Sequence, residues 1–265
     1  MFVLFGFYDK ILLVEFDNMN GANMKRGKIK LIIFLCILVI LIVVRLYIDH
    51  NAISKAHYEI TSEKIPSVFD GFKILQISDL HSKDFKGALE KKINEENPNI
   101  IVMTGDMVSA NQTDYSIFLN LAKTLSKKYQ MYYIKGNHEG ELSKKNYKVV
   151  NDALESYGIK ILDNEMVTVN RSGESINLYG MWCNQRYYSR ADSDKDYVIK
   201  KATLEKLLGV PNKDEYNVLL MHTPVYFTEY SNWGADLVLS RSCSWRTCIY
   251  SVCGWSFLTR QKTFS

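Results

Sequence analysis

An uninterrupted apolar run near the N-terminus constrains this 265-residue chain more than any other feature. Residues 31–44 are all apolar, and residues 45–48 extend the run around Arg45. A bilayer core takes about 20 apolar residues as a helix, and the run approaches that length if Arg45 extends to the headgroups. A signal peptide would have a shorter core and a small-residue cleavage site, and none precedes Pro66. We therefore expect an uncleaved signal-anchor over residues 24–50, with a buried core helix as the alternative.

Cations in front of this run predict its orientation. Lys25, Arg26, Lys28 and Lys30 stand just before it, and such clusters stay on the cytoplasmic side. The sequence thus predicts a single-pass protein of the cell membrane with a cytoplasmic N-terminus. Everything after Tyr47, including any catalytic domain, is expected outside the cytoplasm.

The segments that flank the anchor have different compositions. Residues 1–23 are apolar and acidic, unlike a cationic leader, so we hypothesise that translation starts at Met24 and that residues 1–23 are a spurious extension. We exclude them from fold prediction, and recovery of a native peptide from them would refute the hypothesis. Residues 51–70 are polar and mixed and are interpreted as a juxtamembrane linker.

The overall composition excludes several classes of protein. A hydrophobic content of 47% with 12% aromatic residues is too high for a disordered chain. The net charge of +4 is too small to indicate nucleic-acid binding, and no basic stripe with interleaved aromatics supports a nuclease. Five scattered cysteines without a C-x-x-C pair give neither a disulfide framework nor a zinc site.

From residue 71 onward, predicted strands alternate with predicted helices. Strands are expected at 72–77, 100–103, 131–134, 159–162, 166–169, 176–181, 218–221 and 237–239, and helices at 88–96, 115–125, 144–157 and 203–208. Such alternation predicts α/β layers around a largely parallel sheet.

Ligand-type side chains follow four of these strands. They are Asp79 and His81, then Asp106, then Asn137 and His138, then His222. Each alone has an ordinary structural explanation, such as a turn, an N-cap or a satisfied core histidine. The carboxyl ends of strands form the ligand crevice in open α/β sheets. Because all four motifs occur at strand ends in chain order, we expect their side chains to converge on one rim.

This pattern resembles the calcineurin-like metallophosphoesterase family, whose signature runs D-x-H, G-D, G-N-H-[ED], a single H and then G-H-x-H. Asp79 and His81, Gly105-Asp106, Gly136 to Glu139 and His222 match it in order over residues 73–240. The membrane-anchored bacterial phosphodiesterase branch is the most similar. The resemblance implies a layered αββα sandwich over residues 71–240, preceded by one transmembrane helix.

The resemblance also implies a centre of two divalent metal ions. Asp79 and His81 would hold the first ion, Asn137 and His222 the second, and Asp106 would bridge them. Carboxylate, imidazole and amide ligands suit Mn, Fe or Zn better than Ca. In such a centre a shared water attacks the phosphorus of the substrate.

His138 would face the leaving group as a general acid or as a charge stabiliser. The expected reaction is hydrolysis of a phosphoester, of the phosphodiesterase or pyrophosphatase type. A lipid-linked substrate would suit the membrane anchor. No nucleic-acid partner is expected.

The last element of the family signature is missing. Where G-H-x-H is expected, residues 241–247 read Arg-Ser-Cys-Ser-Trp-Arg-Thr, and no His follows His222. Codons for Gly-His-Ala-His-Gly-Gly followed by the first two bases of a Gln or His codon (GGT CAT GCT CAT GGC GGA CA), read one base displaced, spell this heptapeptide when A or C precedes them. We hypothesise a one-base frameshift near residues 240 and 241 that places residues 241–265 out of frame. The alternative is a divergent tail rich in Ser, Cys and Trp.

The loss has a predicted consequence for function. Each metal site would lack one His ligand, so the chain is expected to bind metal poorly and to hydrolyse little. The C-terminal sheet would be incomplete, with an unpaired edge. The rival interpretation is a non-catalytic protein of the same fold, either truncated or a binding module.

Overall fold

A computed structural model describes residues 3–7, 10–14, 26–51, 53, 55–184, 187, 198–241 and 247–251. The chain divides into two compact units, Met1–Lys55 and Ala56–Ser265. The first unit contains the antiparallel hairpin of β1 (Val3–Phe7) and β2 (Lys10–Val14), followed by helix α1 (Arg26–Asn51). The hairpin lies within the residues that were excluded from fold prediction.

Helix α1 is long and apolar enough to cross a membrane. Its segment Gly27–Arg45 has 19 residues with a mean hydropathy of 2.9, and none of them is buried. No Gly or Pro interrupts the helix after Gly27, so its backbone hydrogen bonds continue through the whole apolar run. Length and composition therefore agree with the predicted span.

The first sheet of the second unit is entirely parallel. Its strands, in spatial order, are β3 (Ile74–Ile77), β4 (Ile100–Thr104), β5 (Gln130–Ile134) and β6 (Lys160–Ile161). The helices that connect them are α2 (Ala88–Glu96), α3 (Ser116–Ser126), α4 (Asn137–Glu141) and α5 (Lys144–Ser156).

The second sheet is mixed and has the spatial order β11-β10-β9-β8-β7. Its strands are β7 (Glu165–Arg171), β8 (Glu174–Met181), β9 (Asn217–Met221), β10 (Leu237–Arg241) and β11 (Thr247–Ser251). The central strands β8, β9 and β10 are parallel, and the two edge strands are antiparallel to their neighbours. Ser172 and Gly173 both have positive φ between β7 and β8, which matches the twist of a tight hairpin.

Alternating side chains on the central strands produce four layers. On β4, Ile101 and Met103 face the core beneath α2, α3 and α5, while Ile100 and Val102 face the second sheet. On β9, Val218 and Leu220 complete the core between the sheets. Their neighbours on β9 instead face the helices α6 (Lys201–Leu208) and α7 (Phe227–Trp233). The protein thus has the predicted αββα sandwich.

Three local features differ from the sequence prediction. Part of the expected linker, residues 60–69, contributes Ile60, Ile65, Val68 and the buried Phe69 to the core between the sheets. Helices α4 and α7 were not predicted. Strand β11, formed by residues of the expected out-of-frame tail, pairs with β10 along the edge that was expected to be unpaired. The exposed backbone groups of β10 and the β-prone residues Thr247–Ser251 explain this pairing.

Candidate metal centre

The predicted site residues lie where strands β3, β4, β5 and β9 end. Asp79 and His81 follow β3, Asp106 follows β4, and His222 follows β9. Asp79, His81 and Asp106 have positive φ angles of 50, 47 and 55°. Non-glycine residues rarely adopt this region, and such strain clusters at functional sites because the surrounding structure enforces it. The backbone thus turns sharply at three of the expected ligand positions.

Asp106 is the centre of the cluster. Its Oδ2 lies 3.2 Å from His222 Nε2 and 3.9 Å from His138 Nε2. Its Oδ1 accepts a hydrogen bond of 2.9 Å from the backbone N–H of His138. The Asp106 carboxylate is buried, and it connects the ends of β4, β5 and β9.

Among the described residues, two groups could each hold a metal ion. One consists of His81, Asp106 and His138, and the other of Asp79, Asp106 and His222, with their ligand atoms within 4.8 Å of one another. Asp106 belongs to both groups, as expected for a bridging ligand. The groups combine Asp79 with His222 and His81 with His138, whereas Asp79 and His81 were expected to hold one ion together. The donor set of carboxylates and imidazoles fits a borderline divalent ion such as Mn, Fe or Zn. Asn137 is half-buried and begins α4, next to His138.

Asp106 and His222 perturb each other's protonation. Burial raises the pKa of Asp106, but the hydrogen bond and charge of His222, together with the N–H of His138, outweigh burial and leave the pKa below its ordinary value. Burial lowers the pKa of His222, but Asp106 and the Thr104 carbonyl raise it to about 9. Without metal, the Asp106 carboxylate and the protonated His222 ring therefore form an ion pair. A cation bound at the site would take the place of the His222 proton.

Hydrogen bonds assign different tautomers to two of the histidines. His222 Nδ1 lies 2.7 Å from the Thr104 carbonyl oxygen, so Nδ1 carries a proton and Nε2 faces Asp106. His138 Nδ1 accepts the N–H of Ala110 at 3.1 Å, so a neutral ring has its proton on Nε2. When neutral, His222 offers a lone pair to the centre, whereas His138 offers an N–H donor.

The ring of His81 completes the rim. It packs edge-to-face against the His138 ring, with centroids 4.6 Å apart. Its Nε2 is 3.9 Å from Asp79 Oδ1, and its Nδ1 is 3.5 Å from Ser109 Oγ. Both imidazoles are about one third exposed, so a small molecule can reach this face of the centre.

Two glycines allow the loops of the centre to approach each other. A Cβ on Gly105 would lie 2.6 Å from Gly136 Cα and 2.8 Å from His222 Nδ1. A Cβ on Gly136 would overlap the carboxylate of Asp106. The glycines of the Gly-Asp and Gly-Asn-His motifs are thus required by close backbone contact.

Glu139 organises the centre, a role that the sequence pattern does not indicate beyond the position of Glu139 in a motif. It is 1% exposed and accepts four backbone N–H groups. The donors are Asp106 (2.8 Å), Met107 (2.6 Å), Val108 (3.3 Å) and Gly136 (2.8 Å). Burial and the charge of Asp106 raise the pKa of Glu139, while the N–H groups of Gly136, Asp106 and Val108 oppose the shift. Glu139 therefore fastens the loop after β4 to the turn after β5.

Comparison with known protein families identifies the class of this chain. The family model for calcineurin-like phosphoesterase matches residues 72–253, which include every residue of the centre. The chain belongs to the calcineurin-like metallophosphoesterases, a family of hydrolases.

Several curated proteins resemble the chain. The metallophosphoesterase YkuE of Bacillus subtilis is 34% identical over 100 residues, 35% of each chain. Cj0846 of Campylobacter jejuni is 24% identical over 79% of this chain and 54% of its own length. The phosphodiesterase YaeI of Escherichia coli is 27% identical over 56% of this chain and 55% of its own length. The chain thus spans between about a third and about half of these three relatives.

A solved structure also shows similarity. Phosphopantetheinyl hydrolase (PptH) from Mycobacterium tuberculosis matches 62% of this chain and 75% of its own, with a TM-score of 0.37 and 12% sequence identity.

Proposed function

We propose that this chain is a membrane-anchored phosphoester hydrolase of the phosphodiesterase or pyrophosphatase type, built for two divalent metal ions. Asp79 and His81 would hold one ion, Asn137 and His222 the other, and Asp106 both. When bound, such ions activate water and stabilise charge during displacement at phosphorus. The observation that carries the proposal is Asp106, a buried carboxylate common to two groups of potential ligands.

The remaining residues have distinct tasks in this proposal. The Thr104 carbonyl fixes His222 with its Nε2 toward Asp106, which is how an outer partner orients a metal-binding imidazole. His138, whose Nδ1 is fixed by Ala110, would donate a hydrogen bond from Nε2 to the leaving oxygen. Of the two roles expected for His138, this tautomer favours the charge stabiliser, since a neutral imidazole is a weak acid.

The missing histidines are part of the proposal. Residues 241–247 contain no ligand-type His, so each proposed site lacks one donor. We attribute this to the one-base frameshift, and we expect the chain as written to bind metal weakly and to hydrolyse little. A non-catalytic protein of the same fold is the alternative.

The proposed location follows from α1. Its segment Gly27–Arg45 has the length and hydropathy of a membrane span, and the preceding cations favour a cytoplasmic N-terminus. The hydrolase domain would then lie outside the cytoplasm, close to the bilayer. A lipid-linked phosphoester is the substrate class that this placement favours.

Hydrolysis of bis-p-nitrophenyl phosphate with Mn²⁺ tests the proposal. It compares the chain with a variant that carries Gly-His-Ala-His at residues 241–244 (Arg241→Gly, Ser242→His, Cys243→Ala, Ser244→His). We expect little turnover by the chain and metal-dependent turnover by the variant, lost again on Asp106→Asn. Full activity of the unaltered chain would contradict the impairment, and an inactive variant would favour the non-catalytic alternative. Sequencing the gene across codons 240–247 separately tests the frameshift.

A further inference from the structure

Lys135 lies between strand β5 and the turn that carries Asn137 and His138, and its side chain is almost enclosed. Only 12% of it is exposed. Its Nζ forms an ion pair of 2.8 Å with Asp163 Oδ2. The same ammonium lies 4.1 Å from the centroid of the Trp182 ring and 4.8 Å from that of the Tyr147 ring.

The partners of Lys135 come from three other parts of the fold. Tyr147 is on α5, Asp163 follows β6, and Trp182 follows β8. A further hydrogen bond, from the backbone N–H of Trp182 to Asn164 Oδ1 at 3.1 Å, connects the segments after β6 and β8 directly. Cation–π and ion-pair contacts strengthen as water is excluded, so the enclosed ammonium holds all three segments against the end of β5.

The neighbouring turn tolerates little displacement. The N–H of Gly136 donates to Glu139 Oε2 at 2.8 Å, and the N–H of His138 donates to Asp106 Oδ1 at 2.9 Å. Gly136 also packs directly against Asp106. A shift of the backbone at Lys135 would therefore move His138 relative to the shared carboxylate.

We propose that Lys135 is a positioning residue, whose ammonium, held by Asp163, Trp182 and Tyr147, fixes the turn that presents Asn137 and His138 to the metal centre. This role rests on the proposed function of the centre. Lys135 acts through the turn and contacts no reacting group. Nothing in the family signature requires a lysine at this position, and its partners Tyr147, Asp163 and Trp182 lie outside the signature motifs.

Hydrogen–deuterium exchange on the full chain in nanodiscs tests this role without requiring metal. The variants are Lys135→Met, which removes the charge, and Lys135→Arg, which keeps a cation able to stack on Trp182. The matched control is Lys64→Met, because Lys64 forms an ion pair of the same 2.8 Å length with Asp236.

In Lys135→Met, we expect peptides covering residues 136–141 to exchange about ten-fold faster, as local opening becomes easier. Lys135→Arg should restore most of the protection, and Lys64→Met should leave these peptides unchanged. In parallel, Lys135→Met should raise the Kd for Mn²⁺ about ten-fold in the chain that carries Gly-His-Ala-His at residues 241–244, as on loss of other outer partners of metal ligands.

Unchanged exchange at residues 136–141 in Lys135→Met would overturn the proposal. So would faster exchange that is equally large across β9 and β10, because that indicates general destabilisation. Equally fast exchange of these peptides in Lys135→Met and Lys135→Arg would also overturn it, because a cation at residue 135 would then not protect the turn. Mn²⁺ binding that is unaffected by Asp106→Asn would refute the metal centre instead, while the exchange data would still decide the role of Lys135.

Discussion

Polar residues lie at both ends of the central strands, but the two ends differ in backbone conformation and in the partners of those residues. At the amino ends, Asn177 donates to Asn217 Oδ1 at 3.1 Å, and the Asn217 N–H donates to Asp236 Oδ2 at 2.9 Å. Lys64 neutralises Asp236 at 2.8 Å. None of these four residues has a positive φ. This end satisfies its polar groups with neighbours and with unstrained backbone.

At the carboxyl ends, three expected ligands have left-handed backbone, and Asp106 is shared among three chain segments. The imidazolium of His222, whose pKa is raised to about 9, is the cation that faces Asp106 among its described partners. Burial of polar groups by itself is therefore not a sign of function. What distinguishes the end with the candidate metal ligands is strained backbone combined with carboxylates and imidazoles that a cation would bring together.

The largest difference between the two ends is expected from matched Asp→Asn substitutions. In the chain that carries Gly-His-Ala-His at residues 241–244, Asp106→Asn should raise the Kd for Mn²⁺ by more than about 100-fold, since it removes the shared ligand. Asp236→Asn should leave that Kd unchanged. Mn²⁺ titration followed by electron paramagnetic resonance measures both, and equal effects would abolish the distinction between the ends.

Gly105→Ala should lower the free energy of unfolding by about 2 kcal/mol or more, because overlap with Gly136 adds to the strain of a positive φ. The matched control is Gly158→Ala. Gly158 has φ +76°, and its added Cβ would meet nothing within 4 Å, so it should lose only about 1 kcal/mol. Urea unfolding compares the two, and an equal loss would show that close approach is unimportant at Gly105.

Glu139→Gln should destabilise the chain by about 1–2 kcal/mol, because one amide group cannot accept the hydrogen bonds that both carboxylate oxygens accept. Either the pair of donors on Oε1 or the pair on Oε2 loses its acceptor. Glu141→Gln, an exposed change on the same helix, should stay within about 0.5 kcal/mol. Thermal unfolding distinguishes these outcomes, and a neutral Glu139→Gln would contradict the fastening role.

The smallest effect is expected at the amino ends. Lys64→Met breaks the ion pair with Asp236, but the Lys64 side chain is 38% exposed. Solvent screening limits such pairs to less than about 1 kcal/mol. Urea unfolding should show that small loss, with no change in Mn²⁺ affinity. A larger loss would mean that Lys64 fastens residues 60–69 to the sheet more strongly than its exposure indicates.

The sequence predicted elements with strong local signals. Helix α2 spans the predicted residues 88–96, and strand β4 begins at the predicted residue 100 and extends one residue beyond the predicted end. The strand expected from Phe72 begins instead at Ile74, because the Lys73 N–H donates to the side chain of Asn99. Helix α4 is only five residues long and contains Gly140, so the sequence shows no helical periodicity of apolar residues there. It forms because Glu139 binds the loop after β4, a contact more than thirty residues away.

The site was predictable as a set of residues but not as an arrangement. Motif order placed Asp79, His81, Asp106 and His222 at strand ends, and the structure brings them together. The opposite tautomers of His138 and His222 depend on Ala110 and Thr104, whose backbone groups carry no signal in the sequence. The enclosure of Lys135 likewise depends on partners from separate elements.

The number of Mn²⁺ ions bound per chain tests the central claim most directly. It is measured by equilibrium dialysis and elemental analysis on the variant with Gly-His-Ala-His at residues 241–244, beside the unaltered chain. We expect two ions on the variant, weak and incomplete occupancy on the unaltered chain, and loss of both ions on Asp106→Asn. Two tightly bound ions on the unaltered chain, or two ions retained without the Asp106 carboxylate, would contradict a centre that is built on Asp106 and lacks its last two histidines.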